Sequence, residues 1–104
     1  SLDGLKKTTN ALSQQNAARQ SYGSEPIELL GVIPTMYRDT NSNIYGRDLL
    51  EEHFGAEMVW DPIPLRTIWT DREYARQSIF TYAPRSEAAD EMTRVIERLL
   101  NYVA

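Results

Sequence analysis

The chain contains no cysteine, which excludes disulfides and thiolate metal sites and fits a reducing compartment. It has a single histidine, His53, so a metal site built from several imidazoles is excluded as well. It has no apolar run of about 18 residues, the length a membrane-spanning helix needs, and no basic-then-apolar leader. The phosphate loop Gly-x-x-x-x-Gly-Lys-Ser/Thr is missing, as are Gly-x-Gly-x-x-Gly, the Gly-x-Ser-x-Gly elbow and His-Glu-x-x-His. His53 falls late in a helical stretch beside Gly55 with no partner to make it a base, so a packing or helix-end role is the ordinary reading. Acidic residues outnumber basic ones, 15 to 11, for a net charge of −4. That balance argues against a protein that coats nucleic acid indiscriminately, although a local basic patch depends on clustering and not on the total. Taken alone, these residues do not make a complete enzyme.

What is present begins with Ile27-Glu-Leu-Leu-Gly-Val-Ile-Pro-Thr-Met-Tyr37. An apolar run without alternation is the pattern of a parallel strand covered on both faces. In open α/β sheets the ligand crevice lies beyond the carboxyl ends of such strands, which places Thr35, Met36 and Tyr37 where a ligand would be met. The length of 104 residues, with 41% hydrophobic and 25% charged side chains, allows one modest domain spanning residues 1–104.

Around that run the pattern alternates. A helix is expected over residues 1–20, capped by Ser1 or Asp3 and carrying a thin stripe of Leu2, Leu5 and Leu12. Tyr22 to Pro26 breaks it, and the strand follows over about 27–36. A second helix is expected over about 43–54, stopped by Gly55 in the left-handed position, then a short strand over 57–61 ended by Pro62 and Pro64. Thr67 caps a third helix to about 77, and 78–84 reads as extended. Ser86 caps the last helix, with Glu87, Asp90 and Glu91 near its positive end. Its apolar face is Ala88, Met92, Val95, Ile96, Leu99, Leu100 and Val103. The order predicts βα units and a parallel sheet. Two strands beside four helices make a poor independent core, so the chain is expected to be part of a larger domain.

Several blocks resemble one family. Leu30-Gly-Val-Ile-Pro-Thr-Met-Tyr37, Glu51-Glu-His-Phe-Gly55, Ile63-Pro64 and Ile79-Phe-Thr-Tyr-Ala-Pro-Arg-Ser-Glu-Ala-Ala89 resemble the C-terminal part of ParA-type partition ATPases, deviant Walker-type proteins of the ParA/MinD group. Members read like L-G-V-I-P-T-M-Y-D, E-E-L-x-x-x-F-G, V-I-P-R-S and P-I-F-E-Y-D-P-R-S-x-G-A. The blocks keep their order and nearly their spacing, and Ser1-Leu-Asp-Gly-Leu5 resembles the family's S-L-x-G-L, so the likeness covers almost the whole chain. It departs from the family over Arg72–Ile79, where A-P-S-x-G-x-P-I has lost its proline and glycine, and at Ala83, which replaces an aspartate. Those departures suit a divergent plasmid or accessory homologue.

The resemblance implies a partial P-loop NTPase-like, Rossmann-like α/β fold that lacks the N-terminal phosphate-loop half. It implies a parent protein that binds ATP and Mg²⁺, forms a homodimer around the nucleotide, binds DNA without sequence preference and answers to a centromere-binding, ParB-like partner in the cytoplasm at the nucleoid. This chain, without the phosphate loop, is then expected to be inactive and to hold neither ATP nor Mg²⁺ tightly by itself. The adenine side falls on Thr35, Met36, Ile63, Pro64 and Leu65; a base needs a flat apolar slot and free backbone groups to read its edge. Family arginines that contact DNA correspond most nearly to Arg38, Arg66 and Arg85, with Arg47 close by; such contacts add up to a salt-dependent affinity. The alternative is a degenerate, non-catalytic interaction or dimerisation module of the same origin, with its apolar edge serving a partner. A MinD-like membrane role is set aside, because the last helix lacks a basic polar face.

Overall fold

The structure, a computed structural model, describes residues 2–103, with Leu2 by its backbone alone; the expected cap Ser1 lies outside these residues. Helices follow one another along the chain: α1, Leu2–Ser21; α2, Asn41–Phe54; α3, Thr67–Ala75; α4, Ile79–Tyr82; and α5, Glu87–Val103. A 3₁₀ turn occupies Ala56–Met58. The described residues contain no β-strand. The expected parallel sheet, and with it the P-loop NTPase-like, Rossmann-like fold class, is therefore overturned.

The reason lies in the prolines. The two apolar runs do lie side by side and parallel, at isolated bridges between Val32 and Val59 and between Tyr37 and Pro64. The Val32 N–H donates to the Met58 carbonyl at 2.8 Å and the Trp60 N–H to the Val32 carbonyl at 2.9 Å. Further on, Ile63 donates to Pro34 at 2.8 Å, Tyr37 to Ile63 at 3.0 Å and Leu65 to Tyr37 at 3.0 Å. Between the bridges, Pro34 and Pro62 have no N–H to give, so the ladder cannot run on. Met36 interrupts it too, with a φ of 52° in the left-handed region.

Other expectations shift with the local chemistry. The stretch expected to be extended at 78–84 contains α4, because the Ser78 Oγ accepts from the Thr81 N–H at 3.2 Å and starts a helical turn. The short strand expected at 57–61 is preceded and partly replaced by the 3₁₀ turn. Thr67 is the first helical residue of α3 and not its cap; Arg66 stands at the N-cap without a side-chain bond. The helix ends at Ala75, two residues early, with Arg76 left-handed at φ 53°. α2 starts earlier than expected, capped by the Thr40 Oγ1, which accepts from the Asn43 N–H at 3.2 Å. Gly55 has the positive φ expected of a stop, 92°, but its ψ of 146° is extended and not left-handed helical. Ser86 caps α5 as expected, its Oγ accepting from the Ala89 N–H at 3.1 Å.

The core is small. Ile79, Ala88 and Ala89 are buried together, with Ile68, Trp69, Ala83 and Met92 packed against them; two alanines in the first turn of α5 leave room for α4 to approach. A second buried pair, Val59 and Trp60, sits beside the first bridge. There Gly31 is required, since a Cβ at that position would overlap the Trp60 indole. Arg98 of α5 lies over the same indole at 4.7 Å and donates to the Glu57 carbonyl at 3.0 Å, tying the end of the chain to the bridged runs. The apolar face of α5 is covered only at its start: Leu100 is 57% exposed and Val103 67%. No helix among the described residues is long and apolar enough to cross a membrane.

Candidate functional site

The five residues expected at an adenine come from two stretches almost thirty positions apart, and the structure brings all five to one cleft of about 430 Å³. The Tyr37–Pro64 bridge does this, by setting the end of the first run against the end of the second. Thr35 and Met36 form one lip and Ile63, Pro64 and Leu65 the other, while Arg66, Trp69, Thr70, Arg72 and Glu73 and, from α5, Met92 complete the wall. Met36 is 72% exposed, and its left-handed backbone costs roughly 1–2 kcal/mol relative to an ordinary conformation. Such a cost is retained only where the surroundings over-determine it; here the bonds of Tyr37 to Ile63 and Leu65 hold the next residue in place.

Trp69, Arg72 and Met92 were not legible as site residues. The spacing of Trp69 and Arg72, three apart on α3, does place them on one helix face, which is the signal that could have found them. The Arg72 guanidinium sits 5.8 Å from the centre of the Trp69 ring. The Trp69 Nε1 and the Arg72 Nε are both buried and find no hydrogen-bond partner among the described residues. Buried polar atoms are nearly always satisfied, so two orphaned donors beside one cleft call for an explanation.

The four candidate arginines have different surroundings. Arg66 is held by α5, with its Nε donating to the Glu91 Oε1 at 2.9 Å and its Nη2 to the Glu91 Oε2 at 3.1 Å; Glu87 approaches at 3.0 Å. The bond to Glu91 raises the Arg66 pKa above its usual value; desolvation, next in size, opposes it, and the attraction of Glu91 and Glu87 adds to the rise. Arg47 pairs with Glu51 one turn on, at 3.6 Å, and lines a different hollow. Arg38 and Arg85 are exposed and make no ion pair among the described residues. The described residues hold no group of three or more His, Asp or Glu side chains positioned for a metal ion. The adenine is another matter, since a cleft with an indole, a thioether and a proline ring in its walls suits a flat ring.

Compared with known proteins, the chain matches no family model, no curated protein and no solved structure.

Proposed function

We propose that the chain is the C-terminal segment of a ParA-type ATPase that partitions plasmid or chromosomal DNA, acting in the cytoplasm at the nucleoid. In this reading it supplies the adenine side of the nucleotide site, and the phosphates and Mg²⁺ are gripped by residues outside this chain. The observation that supports it is the convergence of Thr35, Met36, Ile63, Pro64 and Leu65 on one cleft, residues chosen from the family's blocks alone. Non-specific DNA contact rests on Arg38 and Arg85, because Arg47 and Arg66 are engaged by carboxylates. A homodimer and a ParB-like partner belong to the whole protein.

Adenosine tests the reading directly, without the phosphates. In an NMR titration the amides of Thr35, Met36 and Leu65 and the indole N–H of Trp69 shift together, and those of α1 do not. Unmoved resonances at these four positions in millimolar adenosine overturn the reading. Met36→Gly separates binding from folding, because glycine adopts the positive φ without strain. It weakens adenosine binding while the denaturation midpoint stays the same or rises.

A further inference from the structure

Glu91, Arg94, Val95 and Arg98 recur along α5 at the three- and four-residue spacing that puts side chains on one helix face. With Trp60, Asp61 and Pro62 of the second extended run, that face lines a hollow of about 330 Å³. Both sides of the hollow are built from this chain, and it shares only Ile63 with the cleft of Met36 and Trp69. The charges around it are not equally committed. Both Glu91 oxygens accept from Arg66, a residue outside the lining, so that carboxylate is already neutralised. Arg98 is fixed in place: its guanidinium lies over the Trp60 indole at 4.7 Å and its Nη2 donates to the Glu57 carbonyl at 3.0 Å. Its Nε and Nη1 hydrogens find no partner among the described residues. Arg94 and Asp61 make neither an ion pair nor a side-chain hydrogen bond among the described residues, and none with each other. Both are exposed, so a ligand reaches them from water.

A guanidinium and a carboxylate that line one hollow without pairing are complementary to a ligand that carries both signs. A phosphate dianion gains the arginines but meets the charge of Asp61, and a simple amine gains Asp61 but meets two guanidinium groups. A carboxylate with an ammonium one carbon away answers each. Bonds from arginine to a carboxylate are charge-assisted and geometrically specific. Trp60, Pro62 and Val95 supply apolar surface, which suits a hydrocarbon side chain. We propose that this hollow is a binding site for a free α-amino acid with an apolar side chain, its carboxylate taken by Arg94 and Arg98 and its ammonium by Asp61. The inference is independent of the nucleotide reading, which concerns the other cleft.

The test titrates the full chain with leucine and, in parallel, with N-acetyl-leucine and leucinamide, each of which lacks one charge of the zwitterion. By NMR, millimolar leucine shifts the amides of Asp61 and Val95 and the Arg98 Nε–H saturably, while the amides of Thr35 and Met36 stay in place. The two blocked analogues bind at least about tenfold more weakly, the order expected for the loss of a charge-assisted bond. Arg94→Gln and Asp61→Asn each lower leucine affinity by a similar factor and, as changes at exposed positions, leave the helical circular dichroism as it was. Should either variant not fold, the analogues carry the same comparison on the native chain. A leucine titration without saturable shifts at these positions overturns the proposal. So does N-acetyl-leucine binding as tightly as leucine, which reduces the hollow to a plain anion site. Leucine binding that both folded variants leave unchanged overturns it as well.

Discussion

Val59, Trp60, Ile79, Ala88 and Ala89 are the buried apolar residues of the described chain, and all lie past position 58; nothing before it is buried. The longest helix, α1 with 20 residues, belongs to the half without a core, and α5 with 17 anchors the half that has one. Length is therefore not what attaches a helix here. α1 presents Gln, Asn and Thr at positions where α5 presents Ala, Met and Val, so it has little apolar area to remove from water. It is held instead by polar bonds, the Asn16–Ile27 pair and the Arg19 guanidinium on the Glu25 carbonyl at 3.3 Å. Exposed hydrogen bonds exchange with water at little net gain.

The contrast is broken most severely at Trp60. Trp60→Ala removes the larger buried side chain of the bridge and costs about 3 kcal/mol or more, read from the urea midpoint. A loss below about 1 kcal/mol would mean that the bridged runs are not part of the cooperative unit. Gly31→Ala forces a methyl group into the same indole and costs about 1–3 kcal/mol. Ser86→Ala removes the cap of α5 and the 2.7 Å bond to the Ala83 carbonyl, for about 1 kcal/mol. Asn16→Ala acts on the other half: exchange of the α1 amides quickens while the urea midpoint moves by no more than about 0.5–1 kcal/mol. If it lowers the midpoint as much as Trp60→Ala does, the division into a cored and an uncored half is wrong.

The smallest effect is at the seam between the halves. The Tyr102 hydroxyl donates to the Glu28 Oε1 at 2.6 Å, and this bond first, then desolvation and the negative charge, raises the phenol's pKa above its ordinary value of 10.0. The folded state thus favours the protonated phenol. Its contribution is complete below the unfolded pKa and is lost as pH rises through the folded one. In a spectrophotometric titration Tyr102 ionises later than an unperturbed tyrosine, and Glu28→Gln brings it back toward the ordinary value.

Much of the secondary structure was legible, for reasons particular to each element. α5 follows from its apolar spacing and from Ser86, and α2 from its stripe and the glycine behind it. That 27–36 and the stretch after Gly55 lie side by side in parallel also follows from their apolar runs. The sheet does not form, because pairing needs donors as well as apolar faces and two prolines, Pro34 and Pro62, withhold them between the bridges. The turn at Ser78 is not distinct in the sequence, because a capping serine before Ile-Phe-Thr-Tyr also fits a strand by composition. At the cleft, the two lips were legible and the wall was not. Trp69 and Met92 read as core residues, and nothing local says that they border an opening.

The amino-acid order by itself determined where helices start and stop, since caps and breakers act within three or four residues. It also determined that two apolar runs would seek each other, and that the chain lacks a phosphate loop. Only the tertiary structure decided that the runs meet at two isolated bridges and that Arg66 is spent on Glu91, 25 positions away. These outcomes depend on which groups distant segments bring within about 3 Å of one another, and that distance is written in no local pattern.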